Sequence, residues 1–548
     1  VNNLIIKNSG NKILTNNILI NGDLTIGKFS SLKCDSFQLH GNQNGKIKID
    51  SLGSLKIGHN LNDQDIVFPT LFKGTELHDS STVYYSAKGN QTISSLPVYG
   101  NITIDDGAVD SSFKTLSGDS LLINGNLTLS ESSLILVINE NLIDLKGDWN
   151  GPGKIDLTSG IFKIEGDGNS DGKLNAGNSE VIYCGSKEQK IKIAKYYNLT
   201  INKIGKALTK ANLGSLDVLN KTWVKNGCLD FNSEEVSIAN LIIDDSVTFS
   251  SKLQDKRFKE ILINNTGRFL LNYDEEVSIS GSIHCDGSFI CEQGKIHFSD
   301  SSKNQNISGF GTIELGQIKV SKDTKKLTIS SDLTIIDTLT IESGDINIDS
   351  QVKLDSLGFI VGETNKNTIS GAGKIFKNKN IVSGNYFNIG GLGLDIVCQT
   401  PLGNTLIERA FQPIELSNQE SINRTYNIEP TFNSNLEVTL SFKYWESELN
   451  NNLEKDLKIQ KSTNNGLSWI EFQSSQDTSS KSITLNSVTS FSKWTAGSNK
   501  LNTLAVELIN FEGKRIENNI KLKWEVLSEI NSKAYQINFS FDGIQFDS

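Results

Sequence analysis

An all-β chain built mainly as a right-handed parallel β-helix is what this sequence predicts, on three observations. Apolar-polar-apolar triplets recur at near-constant spacing, no stretch sustains a helical period, and a longer motif returns several coils apart. The triplets are clearest at Leu327-Thr-Ile329, Leu333-Thr-Ile335, Leu339-Thr-Ile341, Ile346-Asn-Ile348 and Val352-Lys-Leu354, with steps of six, six, seven and six. Each puts two side chains on one face of a short strand, and the intervening Ser, Asp and Gly supply corners. Antiparallel hairpins need longer strands and tight two-residue turns. A chain that turns a corner after every strand and stacks coil on coil fits better, at about 18 to 25 residues per three-faced coil.

The longer motif reads VYYSAKGNQTI at 83–93, VIYCGSKEQKI at 181–191 and IHFSDSSKNQNI at 296–307. Each has an aromatic-bearing apolar start, a polar loop and a Q/N-x-I end. About 400 residues in roughly 20 coils, stacked ~4.8 Å apart, predict a rod on the order of 95 Å long.

Composition shifts near residue 385. Pro401, Pro413 and Pro430 cluster, four of the six Trp (Trp445, Trp469, Trp494, Trp524) lie beyond 440, and strands such as 436–445 lengthen and alternate. The expected organisation is a β-helix over 1–390, an antiparallel β-sandwich over 391–500 with a turn at Asn464-Asn465-Gly466, and a partial immunoglobulin- or fibronectin-like module over 501–548 with Trp524 in its core. That last module has too few strands to close two sheets, which predicts a longer natural protein.

Composition also limits function. The chain has 548 residues, a formal charge of −10, no Met, and only five Arg against 48 Lys. Net acidity with no Arg before Arg257 leaves no basic stripe for phosphates, so nucleic acid is not an expected partner. No run of about 18 apolar residues is present, so no membrane-spanning helix is expected. A Val1 start and the absent Met point to a processed, extracellular chain. Six scattered cysteines do not form a dense disulfide framework.

Residues 504–547, LAVELINFEGKRIENNIKLKWEVLSEINSKAYQINFSFDGIQFD, carry a family resemblance. Through Val506, Glu507, Leu508, Phe511, Leu522, Trp524, Ser528, Glu529, Asn531, Asp542, Gly543 and Phe546 they resemble the fibronectin-like module that precedes the sorting domain in proteins exported by the type IX secretion system of Bacteroidetes. Ala505 stands where that family usually has Pro, and Asn538-Phe539 where it has a charged pair. RTYNIEP (424–430), FKYWESELN (442–450), STNNGLSW (462–469), SFSKWTAG (490–497) and LKGDWNGPG (145–153) resemble other parts of large type IX surface proteins. The resemblance implies a secreted or surface-anchored adhesin-like molecule, with the secretion machinery as partner during export and a sorting domain that this chain lacks.

Several motifs carry candidate chemistry. Asp167, Asn169 and Asp171 match the first half of a calcium loop, in which alternating oxygens converge; Asn178 stands where a bidentate Glu belongs, and the alternative is a polar insertion loop. Gly168-Asn-Ser170-Asp-Gly172 spells a nucleophile elbow, a motif that needs a following helix. His284-Cys285 with Cys291 and His297 has zinc-ligand residue types, but both cysteines continue the apolar alternation and read as small buried hydrophobes. GPGK (151–154) and GAGK (371–374) lack the spacing and Ser/Thr of a phosphate loop and read as coil corners. Carboxylate pairs such as Asp105-Asp106 and Asp244-Asp245 face opposite ways on a strand, and the five His show no recognisable pairing.

The expectation is a binding or spacing role rather than catalysis, with no resident cofactor other than calcium at that loop. A long face rich in Asn, Thr, Ser and Lys suits a glycan or another cell surface through many weak hydrogen bonds. The alternatives are a β-helical polysaccharide lyase or glycoside hydrolase, and a chain whose partner is the secretion translocon.

Overall fold

The computed structural model describes residues 1–548 apart from 59–66, 106–111, 133, 169–170, 193, 206–207, 212–213, 233–234, 250–255, 272–274, 417–418, 499–505, 518, 530–534 and 541–548. It is all-β, about 58% strand and 2% helix, and among the described residues no helix is long and apolar enough to cross a membrane. The chain divides into two compact units, Val1–Lys377 and Asn378–Ser548.

The first unit is a parallel β-solenoid of about 16 turns. One turn runs through Asn101–Ile104, Ser112–Leu116 and Ser120–Ile123, and the next through Leu127–Leu129, Leu134–Ile138 and Leu142–Leu145. Ile102 lies opposite Leu127, Lys114 opposite Leu136 and Leu121 opposite Ile143, all parallel, so three faces stack in register.

All ten apolar positions of the Leu327–Leu354 triplets are buried. Leu327 lies opposite Ile346 and Leu333 opposite Val352, so each triplet stacks on the one three places earlier. Two details differ from expectation. There are about 16 turns rather than 20, because polar loops lengthen many coils. The step is 18 residues between Val181 and Leu199 but 28 between Leu55 and Val83. Strands also run through corners, as Thr312–Ile329 and Leu333–Ile348 do, by shifting register at bulges.

The recurring motif has a physical role: it clamps polar loops onto the preceding turn. Gln91, Gln189 and Gln305 point inward and are buried. Their Nε2 groups donate to the carbonyls of Ile57 (3.3 Å), Ile164 (3.2 Å) and Ile279 (2.8 Å). A buried lysine from further along then enters each loop: Lys114 donates to Ala87 O (2.9 Å), Lys203 to Lys187 O (2.7 Å) and Lys322 to Asp300 O (2.6 Å). Burial holds both Lys203 and Lys322 down at about 8. In the first two copies the aromatics pair as well, Tyr85 with Tyr99 (2.6 Å) and Tyr183 with Tyr196 (3.3 Å), through buried hydroxyls. Loop backbone that leaves the ladder thus still finds polar partners.

The second unit is antiparallel. Among the described residues one sheet runs Gly384–Tyr386, Leu394–Cys398, Val438–Lys443, Ser482–Val488, Ser475–Asp477. Another ladder runs Gly403–Ala410, Thr425–Pro430, Lys493–Ser498, Leu457–Ser462, Ile470–Phe472. The turn at Asn464-Asn465-Gly466 has positive φ at Asn465 and Gly466. Arg424 reaches Glu448 through two bonds of 2.9 Å, and Arg409 joins at 3.2 Å, all three buried. Val506–Ile516 and Asn519–Glu529 form a hairpin with Phe511 opposite Trp524. Trp524, expected in a core, is 36% exposed and meets Tyr535 at 5.5 Å. Among the described residues the two paired strands leave that ring partly exposed.

Candidate functional site

A concave region lies on the solenoid within residues 198–288. Here the ladder aligns outward residues from successive turns: Thr200, Trp223, Ile242, Leu262, His284 and Ser308 lie opposite one another in that order. Beside this stripe runs Asn198, Lys221, Asn240 and Glu260. Period-2 alternation puts Lys221, Trp223 and Lys225 on one strand face, and both ammonium groups stand 5.2 and 5.3 Å from the indole centroid. Trp223 Nε1 donates to Asp244 Oδ2 at 2.7 Å, which fixes the ring plane. A hollow of about 420 Å³ lies along the stripe, lined by Asn198, Asn220, Lys221, Asn240, Ile242 and Leu262.

At the adjoining corner is a groove of about 910 Å³ whose lining includes Lys225, Asp244, Asp245, Asn265, Thr266 and Arg268. Its floor is glycine. A Cβ on Gly267 would collide with Ile243 O, one on Gly287 with Gly267 O, and Gly227 has φ +93°. The corner turns tightly because only glycine lets the turns approach this closely.

The two aspartates serve the fold. Asp244 accepts from Trp223 and from the Asn264 amide, while Asp245 Oδ2 accepts the Gly227 N–H at 2.7 Å. Lys225 and Arg268 are exposed, and among the described residues neither forms an ion pair. The groove therefore offers Arg268 and Lys225, the latter also over the Trp223 ring, with amides and hydroxyls beside the stripe that carries Trp223.

Other sequence candidates fall elsewhere. Of the calcium residues, Asp167 and Asp171 are described and Asn169 lies outside the described residues. Asp167 Oδ1 accepts the Lys190 N–H at 3.0 Å, so it takes part in holding neighbouring turns. Ser170 also lies outside the described residues, and strand Lys173–Asn175 follows it where a nucleophile elbow needs a helix. Cys285 and Cys291 point inward and are fully buried, with burial pushing both thiols up to about 11. His284 instead faces solvent, so the zinc constellation does not converge. Gly151 and Gly371, from the two GxGK stretches, have positive φ at coil corners. Asp105 pairs with Lys56 at 3.4 Å, and Asp106 lies outside the described residues.

Sequence reasoning missed two pairings. His284 Nε2 lies 3.1 Å from Asp286 Oδ2 and its Nδ1 3.0 Å from Ser308 Oγ. His297 Nδ1 lies 3.0 Å from Glu276 Oε1 and its Nε2 3.0 Å from Ser321 Oγ. Ser308, Glu276 and Ser321 sit one turn away, at sequence distances that carry no local signal, whereas Asp286 lies only two residues beyond His284. The resemblance to a Ser-His-acid triad stops at the serine. Ser321 donates its only hydroxyl hydrogen to Glu342 at 2.8 Å, leaving none for His297 to remove. The Lys221-x-Trp223-x-Lys225 alternation, by contrast, was readable as one strand face.

The fold and this face define a parallel β-solenoid carrying a grooved, polar and aromatic surface. Set against known protein families, curated proteins and solved structures, the chain matches none of them.

Proposed function

We propose that the protein is a secreted or cell-surface, adhesin-like glycan-binding protein in which the solenoid presents a sugar-binding face. The observation that carries this reading is the Trp223-Ile242-Leu262 stripe bordered by Asn198, Lys221 and Asn240. Sugar rings have apolar C–H faces and a hydroxyl rim, and such a stripe with flanking amides complements both. Repetition over adjacent turns suits a polymer, because several weak contacts on one chain add through effective concentration.

Export by the type IX secretion system, with its machinery as a transient partner, and a position on the cell surface belong to the same proposal; they rest on the C-terminal resemblance. So do a sandwich for residues 391–500 and an immunoglobulin-like completion of the terminal hairpin. Labelling intact cells of the source bacterium with an antibody to the solenoid tests the surface position, and signal only after lysis would refute it.

The glycan reading is tested on the purified chain with a glycan array, paired with reducing-sugar and unsaturated-product assays on every glycan bound. Retention of a defined glycan set, reduced about tenfold or more by Trp223→Ala and without turnover, is the expected result. Turnover would favour the lyase or hydrolase alternative, and absence of binding to every glycan would sink the reading.

A further inference from the structure

We infer that the corner groove selects an acidic saccharide, holding the carboxylate or sulfate of one sugar between Lys225 and Arg268 while the neighbouring sugar lies along the Trp223 stripe. This rests on the glycan-binding reading above and specifies the ligand class.

The chain carries five Arg; Arg409 and Arg424 are buried on Glu448, whereas Arg268 is exposed and among the described residues has no acidic partner. Other solenoid lysines pair with a nearby carboxylate, as Lys146 does with Glu165 and Lys154 with Asp156. Lys225 and Arg268 line one groove with two aspartates close by, yet pair with neither. Asp244 already accepts from an indole and an amide, and Asp245 from a backbone N–H. Each aspartate accepts from neutral donors and keeps its negative charge in the lining, and neither is joined to Lys225 or Arg268 in an ion pair. The backbone helps: Arg268 N donates to Asp245 O at 2.7 Å, and Ser246 N to Gly227 O at 3.3 Å. These bonds fix the two walls from which the cationic side chains extend.

A guanidinium offers a fork of donors that matches a carboxylate or sulfate edge, and an ammonium adds a point charge. Asn265 and Thr266, exposed on the same rim, supply neutral hydrogen bonds for ring hydroxyls.

The test is calorimetric titration of the purified chain with three oligosaccharides of equal length: a polyuronate, its carboxyl-reduced neutral counterpart and a sulfated chain. The polyuronate or the sulfated chain is expected to bind at least about tenfold more tightly than the neutral one, and more weakly as salt rises. Arg268→Gln lowers the acidic affinity by about tenfold and leaves the neutral affinity unchanged, and Lys225→Gln, whose ammonium also stands over the Trp223 ring, lowers the acidic affinity by about tenfold and by more than it lowers the neutral one. Both side chains are exposed, so the variants retain the fold, checked by circular dichroism. Which acidic chain binds more tightly names the charged group. Equal binding of the neutral and acidic chains, or acidic binding unchanged in both variants, overturns the selectivity and leaves the glycan reading standing. Failure of all three to bind overturns this inference, and the array then decides the broader reading.

Discussion

At the scale of single residues, Lys256 and Glu275 form a weak point of the solenoid. The two side chains are 1% and 3% exposed and ion-paired through Glu275 Oε2, and Glu275 Oε1 has no hydrogen-bond partner. Burial raises the Glu275 carboxyl, with Lys256 opposing it. Removing the cation strands a buried carboxylate, so Lys256→Met is expected to cost about 3–5 kcal/mol in urea denaturation. A loss below about 1 kcal/mol would show that water reaches the site. Lys322 gives a pH-dependent counterpart. Its folded value of about 8 lies below the ordinary 10.5, so the unfolded chain binds more protons between those values. Its contribution to stability is least favourable below pH 8 and improves as pH rises toward 10.5. Urea midpoints of the wild-type chain and Lys322→Met, compared from pH 7 to pH 10, are expected to move in favour of the wild type; a constant difference would refute the sign. Neither residue was legible as buried in the sequence. An isolated lysine in a polar loop reads as solvated, and only the returning turn places carbonyls around it.

Elements show why the corners matter. Gly267 lies where a side chain would strike the carbonyl of Ile243 in the turn below. Gly267→Ala is expected to lower stability by about 1–3 kcal/mol through displaced backbone, and to weaken glycan binding because it deforms the groove floor. An unchanged thermal midpoint would mean that the corner has slack. Behind this corner the core is a ladder of rings, with Phe231, Phe249, Phe269 and Phe289 spaced 5.3, 5.2 and 4.6 Å apart between successive centroids. Phe269→Ala removes the ring shared by two of these contacts and is expected to cost about 3–5 kcal/mol, read by the same denaturation. Strand positions and inward faces were legible from the triplets because alternation on a strand is local. The loop clamps were half legible. The repeated Gln was visible as a motif, but its bond to a carbonyl of the preceding turn depends on where that turn passes.

The scale of the whole molecule adds nearest-neighbour energetics, since each solenoid turn touches chiefly the turns above and below it. A charge placed inward is therefore expected to open the solenoid locally. Ile335→Asp should raise amide exchange in Leu333–Ile348 and the adjoining Gln351–Leu354 while leaving Asn101–Ile104 protected. Uniform loss of protection along the unit would show global cooperativity instead. The β class and the inward-facing residues were legible in the chain because they follow from side-chain alternation within a few residues, and the parallel stacking was legible in the near-constant spacing of the triplets. The sequence also indicated the polar, Asn- and Lys-rich character of the outer face. Tertiary structure decided which outward side chains share a stripe, which aspartates are committed to the fold, and which cations are left to line a groove. Those facts depend on register between turns 18 to 28 residues apart. Loop lengths set that register turn by turn, and no local pattern in the chain encodes it.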